Sequence, residues 1–441
     1  MKVFAKKTLS VILSVTLLLT TFAGIGYVIA EDTATLLNGK SVLVSGDSIA
    51  AGWRDTYKEK VDLNIWDGTT KTAPQDLDSD DVYEITNGAE LAYVIDNNGT
   101  IDGTPACSFI LTDDIYINDP SKVNWETGVA LDAEYTINSW FRYWKTGNIY
   151  HEFAGTIDGD GHTVYGLYFN MPNEGAQQYD AAALIPGVLG NVTIKNLAVD
   201  KAYVNYKNGV SAFVGYALTD STINITNSYA GADVTLMGND AGVFRAVARD
   251  NKNCVLENCY SLATTTGVTY GLIGFNWDDN GKFTFKNCYN ANGPLNFGGG
   301  PGWNCTAENS YSTADNVNAD GGNWLNIGSN LITAEKMQGL DVFTDASKMP
   351  NLNTTDAYMA QDNNYPILKK FYVAPPSSDD SEIIVWDGTT QKAPSDSNND
   401  GIYEITNAAE LAYVIDNNGT INNTPACSFI LTDDIYINDP S

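Results

Sequence analysis

Three short stretches carry residue types that could do chemistry. SVLVSGDSIAAGW, from Ser41 to Trp53, ends an apolar run in Gly-Asp-Ser. A serine on a sharp turn after a buried strand can act as a nucleophile once a base takes its proton. DSNNDGIYEI, from Asp396 to Ile405, sets oxygen donors at alternate positions before a glycine. Asp396, Asn398 and Asp400 thus match the opening of a calcium loop, D-x-N-x-D-G. The twelfth loop position is Asn407, where a strong calcium loop has a bidentate glutamate. DLDSDDVYEI keeps the spacing with Asp76, Asp78 and Asp80, and Asp81 stands where the glycine would be. Calcium is therefore the expected cofactor, if any, and a weakly held one.

Two further clusters invite function. Trp140, Tyr143 and Trp144 fall within INSWFRYWKTGNIYHEF (Ile137 to Phe153) and are the candidate platform for stacking a sugar. DGDGH (Asp158 to His162) places two carboxylates beside a histidine, the groups a glycosidase uses in pairs. Gly159 and Gly161 alternate with the acids, so a tight turn between strands is the better reading. Neither histidine, His151 or His162, stands in a D-x-x-H pair. Six cysteines lack C-x-x-C spacing, and with two histidines they offer no zinc set.

The elements that hold these residues come from two nested repeats. Ile65 to Ser121 returns as Val385 to Ser441, with 45 of 57 positions identical, so the two segments must share a fold. Within the first module, beyond that opening copy, TIKNLAV, NITNSYA, VLENCYS, TFKNCYN and TAENSYS align on Asn196, Asn227, Asn258, Asn287 and Asn309. Their spacings of 31, 31, 29 and 22 indicate one structural unit per period. A single unit cannot bury its apolar side, so stacking is required. The asparagines then sit at left-handed bends and bond to one another in a ladder. Tyr229, Tyr260, Tyr289 and Tyr311 stack likewise, and Ser228, Cys259, Cys288 and Ser310 share one small-residue rung. Cys259 and Cys288 become neighbours there, as buried free thiols or as a disulfide. A short helix with its N-cap at Thr86 or Asn87, and Glu90 completing a capping box, covers the first end. Ile332 to Phe343 reads as a second short helix, and Asn363 to Phe371 closes the module.

HEFAGTIDGDGHTVYGLYFN (His151 to Asn170), the glycine-flanked apolar patches, the Asn-Cys-Tyr runs and the terminal Tyr-Pro-Ile-Leu resemble the GLUG-repeat modules of secreted bacterial surface proteins. The resemblance spans about Ile65 to Phe371. It implies an all-β, right-handed parallel β-helix with short capping helices, found in adhesin-like extracellular proteins and tied to no fixed enzymatic activity. LNGKSVLVSGDSIAAGW is similar to the first block of an SGNH (GDSL-type) hydrolase, which would make Ser48 the nucleophile. The later blocks of that family, above all its D-x-x-H dyad, have no match, and too little chain separates Ser48 from Trp66 for an α/β domain.

Lys2, Lys6 and Lys7 followed by a long apolar run predict a secretory signal ending near Ala30. The expected division is a signal over 1–30, a hydrolase-like remnant over 31–64, a β-helix module over 65–373, a polar linker over 374–384 and the start of a second module over 385–441. With 24 basic against 54 acidic residues the chain carries −30, which repels nucleic acid and anionic membranes. No later stretch is apolar enough to enter a bilayer. The expected function is carbohydrate or surface binding outside the cell without a complete catalytic site. The alternatives are a polysaccharide lyase or glycoside hydrolase on the same fold, and an esterase remnant with a solenoid spacer.

Overall fold

In the computed structural model, the described residues are 63–144, 148–174, 180–248, 253–267, 269–275, 282–295, 304–314, 330–372, 388–395, 402–417, 419–421, 424 and 427–431. The chain divides into two units at Tyr372 and Val373. Strands dominate both, and two short α-helices are present among the described residues. The protein is all-β.

Eight strands of the largest sheet are labelled here in chain order: β1 (Val82–Ile85), β2 (Ser108–Leu111), β3 (Glu152–Asp158), β4 (Ile185–Lys195), β5 (Thr222–Thr226), β6 (Asn253–Glu257), β7 (Lys282–Lys286) and β8 (Asn304–Glu308). Each pairs in parallel with the next. Their sequences alternate apolar and polar residues, as half-buried strands do. Phe109, Ile157, Ile194, Ile225, Leu256, Phe285 and Ala307 therefore form one inward row. Ile225, Leu256 and Phe285 are completely buried in it. Register is strongly fixed, because a one-residue slip would turn this row to solvent. Two further sheets repeat the pattern, through Thr163–Tyr165, Ala198–Asp200 and Tyr229–Ala230, and through Tyr168–Met171, Ala202–Tyr206 and Val234–Met237.

The bends between the first two sheets hold the five asparagines. Asn196, Asn227, Asn258, Asn287 and Asn309 all have φ between 48° and 53°. Asparagine tolerates this left-handed region better than most residues. Each Nδ2 from Asn227 to Asn309 donates to the Oδ1 of the preceding asparagine, at 3.2, 2.9, 3.2 and 3.4 Å. One residue later, Ser228, Cys259, Cys288 and Ser310 are fully buried. Both cysteines are free thiols: Cys259 Sγ donates to Glu257 O at 3.3 Å and Cys288 Sγ to Lys286 O at 3.3 Å. Burial pushes the Cys259 thiol well above its ordinary pKa, and Cys288 beside it adds to the effect. The Tyr229, Tyr260 and Tyr289 rings stack at 4.8 and 4.9 Å, the spacing of adjacent strands.

The first end is closed as expected. Helix α1 (Gly88–Asp96) is N-capped by Asn87, whose side chain accepts from the amides of Ala89 and Glu90. Glu90 reaches back past the cap to the Thr86 amide at 2.7 Å and the Thr86 hydroxyl at 2.8 Å, so the reciprocal bond goes to the residue before the cap rather than to the cap's own amide. Leu91, Val94 and Ile95 are buried against the strands.

The later segment departs from expectation. Ile332 to Phe343 contains one 3-10 turn, Ala334–Met337, instead of an α-helix. Gln338 is already extended after it, at φ −124° and ψ 161°, and Gly339 follows at φ +96°. The segment up to Phe371 packs along the tyrosine column, where Met337, Val342, Met349, Leu352, Tyr358 and Phe371 join Tyr229, Tyr260, Tyr289 and Tyr311 in one cluster. Tyr289 donates its hydroxyl to Pro366 O at 2.5 Å, and Tyr358 donates to Asn287 O at 3.0 Å. Lys370 reaches Asp160 at 2.6 Å.

The second unit repeats the opening of the first. Strand β9 (Ile402–Ile405) pairs in parallel with β10 (Ser428–Leu431), and α2 (Ala408–Asp416) is capped by Asn407.

Candidate functional site

The aromatic platform is the main correction. Trp140 is 4% exposed and Tyr143 is 2% exposed, which leaves neither ring a free face. Trp140 Nε1 donates to Leu184 O at 2.8 Å, and its ring meets Trp66 and Phe141 edge-on at 5.1 and 4.8 Å. Tyr143 lies against Tyr216 at 5.2 Å, and burial raises its phenol far above the ordinary range. The Arg142 guanidinium sits 4.1 Å over the half-buried Trp144 ring. A long apolar-rich connection has folded its rings inward, as burial of large rings favours. Sugar cannot stack on Trp140 or Tyr143.

DGDGH is a fastened turn. Asp158 accepts from Lys195 at 2.8 Å, from Asn196 at 2.9 Å and from the Asp160 amide at 3.0 Å. Burial works to raise its carboxyl pKa, but these bonds prevail and hold it below the ordinary value. His162 Nδ1 lies 3.2 Å from Asp114 Oδ1, which also accepts from the Thr163 amide at 3.0 Å. An Asp–His contact therefore exists across 48 residues, out of reach of any local motif search. Ser48 lies outside the described residues.

The acidic loop before β1 brings two of the three expected ligands together and substitutes the third. Asp76 is turned into the loop: Oδ1 accepts from the Ser79 and Asp80 amides at 2.7 and 3.1 Å, and Oδ2 from the Asp81 amide at 3.1 Å. Ser79 and Asp81 adopt φ of 65° and 67°, so Asp81 takes the left-handed bend that glycine fills in a typical calcium loop. Asp76, Asp78 and Glu84 place carboxylate oxygens within 4.8 Å of one another. Asp80 is outside that group and accepts from the Val82 amide at 2.9 Å. Glu84 was not among the expected ligands. Its signal was its place as ninth residue from Asp76, a ligand position in such loops. The twelfth residue, Asn87, is engaged as the helix cap. Desolvation and the charges of Asp80, Glu84 and Asp76 raise the Asp78 pKa. An all-oxygen carboxylate set suits a hard cation such as calcium. Asp396, Asn398 and Asp400 lie outside the described residues.

A regular outward face emerges from the sheet itself. Ser108, Thr156, Thr193, Asn224, Val255, Thr284 and Thr306 follow one another in direct register across seven strands. All are at least partly exposed. Beside them runs Asp158, Lys195, Thr226, Glu257, Lys286 and Glu308. Opposite charges meet within this row, with Lys195–Asp158 at 2.8 Å and Lys286–Glu257 at 2.7 Å. Parallel strands set the rows' repeat at about 4.8 Å. The face offers hydroxyls, amides and internally paired charges at constant spacing.

No family model and no curated protein matches the chain. Among solved structures it is similar, at 15% identity, to the protein named "putative immunoglobulin A1 protease" from Bacteroides ovatus. That match covers 65% of this chain and 92% of the other, with a TM-score of 0.31, a level at which neither fold nor function is inferred. None of the described helices is long and apolar enough to cross a membrane.

Proposed function

We propose that this is a secreted, cell-surface carbohydrate-binding protein of adhesin type, built on a right-handed parallel β-helix of the GLUG-repeat kind. The observation that carries the reading is the row from Ser108 to Thr306. A line of hydroxyl and amide groups repeating about every 4.8 Å, interrupted once at Val255, suits a linear polyhydroxylated polymer lying along the stack. Each contact is weak, and many identical contacts on one chain add through effective concentration. The net charge of −30 does not oppose a neutral glycan, which carries no charge to repel. The signal-like first 30 residues support export.

Calcium belongs to the same proposal as a structural ion. Held by Asp76, Asp78 and Glu84, it would brace the loop entering β1 and relieve the mutual repulsion of these acids.

A glycan array combined with a reducing-sugar release assay on the whole chain tests the reading. Binding without release is the expected result. Release of sugar would put the lyase or hydrolase alternative in its place, and no binding to any glycan would remove the carbohydrate assignment.

A further inference from the structure

One rung of the stack places two cysteines directly on each other. Cys259 and Cys288 each follow a ladder asparagine and precede a column tyrosine. Tyr260 and Tyr289 are paired in register, with rings 4.9 Å apart and 5° from coplanar. The Asn287 side chain donates to Asn258 at 3.2 Å, and the Tyr289 amide donates to Cys259 O at 3.1 Å. The cysteines between these neighbours are therefore held one strand spacing apart, about 4.8 Å between α-carbons. A disulfide spans α-carbons roughly 4.4–6.8 Å apart, and the β-carbons need approach only slightly. Cys288 Sγ lies 3.3 Å from Leu256 O, on the repeat that carries Cys259, so it leans toward its neighbour. Cys259 Sγ leans the same way, toward Ile225 O at 3.4 Å, and a turn about its Cα–Cβ bond brings it back.

The same register keeps the other cysteines of the first unit away from this rung. Cys254 and Cys305 share an inward row, but Phe283 stands between them, at twice the strand spacing. Both lie near the far ends of their strands, about 13 Å of extended chain from the asparagine bends. Cys107 immediately precedes β2, and β3, β4 and β5 stand between β2 and β6. Ser228 and Ser310 occupy the rung on either side of the two cysteines and are fully buried. Their hydroxyls donate to Thr226 O at 2.8 Å and Glu308 O at 2.9 Å. Serine thus meets the packing and hydrogen-bonding demand of this position, and that demand does not account for cysteine in two successive repeats. Burial holds the Cys259 thiol well above its ordinary pKa, so the rung disfavours charge. A disulfide is neutral and suits it.

We infer that Cys259 and Cys288 are a disulfide site, closed as their two repeats stack, which makes the link between those repeats covalent. The reaction is exchange with a disulfide oxidant, small or protein-borne. One cysteine thiolate attacks the oxidant's sulfur–sulfur bond, forms a mixed disulfide and expels one thiolate. The second cysteine thiolate then attacks the cysteine sulfur of the mixed disulfide and expels the other. The two cysteines lose two protons and two electrons, and the oxidant leaves as two thiols. Only a thiolate attacks, and both side chains are fully buried once stacked. Exchange is therefore fast while the repeats are open and slow afterwards. An exported chain meets such oxidants, and this clause alone rests on the proposed export.

The test denatures and reduces the intact chain, refolds it in a buffer of reduced and oxidised glutathione, then denatures it again and alkylates it. Cys259 and Cys288 should escape alkylation. Trypsin without reductant should release residues 253–282 linked to 287–336, with fragmentation placing the bond between Cys259 and Cys288. The link should vanish in Cys259→Ser and in Cys288→Ser, and circular dichroism should show both folded, because the rung already holds serine. Oxidised glutathione added only after the chain has refolded in reduced form should make the bond at least tenfold more slowly. Alkylation of both cysteines after oxidative refolding, a bond elsewhere in place of this one, or equally fast oxidation of the folded chain overturns the inference. The buffer supplies the oxidant, so none of these results turns on export.

Discussion

Asn258 donates through Nδ2 to Asn227 Oδ1 at 2.9 Å, and both residues hold a left-handed backbone, at φ of 52° and 48°. One residue type meets two demands at each bend, conformational and hydrogen-bonding. Substitution separates them. Asn258→Gly keeps the bend and loses two ladder bonds, the one it donates to Asn227 and the one it accepts from Asn287, each worth about 1 kcal/mol. Asn258→Ala loses both bonds and adds left-handed strain of about 1–2 kcal/mol. Urea denaturation should therefore rank wild type above glycine and glycine above alanine. Equal stability of all three would show that the ladder is incidental.

Trp140 and Thr284 separate packing from binding. Trp140 is buried with its indole N–H bonded to Leu184 O, so Trp140→Ala should cost about 3–5 kcal/mol. Thr284→Arg changes an outward position between Val255 and Thr306. Its stability should stay within about 0.5 kcal/mol of wild type, while glycan binding falls severalfold. Denaturation and glycan-array titration, run on both variants, check this. Binding unaffected by Thr284→Arg would remove the outward row from the proposed site.

Calcium should raise the melting temperature of the intact chain at the roughly 0.1–1 mM concentrations typical of extracellular calcium modules. Asp78→Asn should abolish most of that rise. In chelator the same substitution should leave stability unchanged or improve it, because it removes one of several crowded like charges. The raised pKa of Asp78 also fixes the sign of the pH effect. Protonation relieves repulsion and removes a ligand, so acidification should favour the calcium-free fold and weaken calcium binding. Differential scanning fluorimetry with and without calcium measures both effects. A calcium-induced rise of full size in Asp78→Asn would exclude this loop as the site.

The stacking architecture was legible because each repeat restates it. Asparagine at 196, 227, 258, 287 and 309 names both the bend and the ladder, and Tyr229, Tyr260 and Tyr289 name a column. The cap over α1 was equally local, since Thr86, Asn87 and Glu90 lie within five residues. What depended on distant partners was hidden. Nothing between Ile332 and Phe371 announces that it docks on tyrosines of earlier periods. The cluster of Trp140, Tyr143 and Trp144 showed aromatic content but not which way the rings face. Its burial depends on Trp66, Leu184 and Tyr216, far along the sequence. Glu84 was obscured by its place in a strand, where alternation explains a polar residue without further function.

His151 gives the fold a defined acid sensitivity. Burial lowers its pKa below the ordinary 6.5, and Lys71 acts in the same direction while Asp96, 3.9 Å away, opposes. The unfolded chain therefore binds a proton more readily than the folded chain between the folded pKa and 6.5. Unfolding free energy rises with pH wherever the unfolded state holds more protons. This contribution is absent as a penalty above 6.5, and stability is lost as the pH falls from there toward the folded pKa. His151→Gln cannot charge, so it should flatten that part of the profile even if its stability at neutral pH is lower. Urea midpoints of both proteins across pH 5 to 8 make the comparison. Parallel profiles would assign the acid sensitivity to other groups.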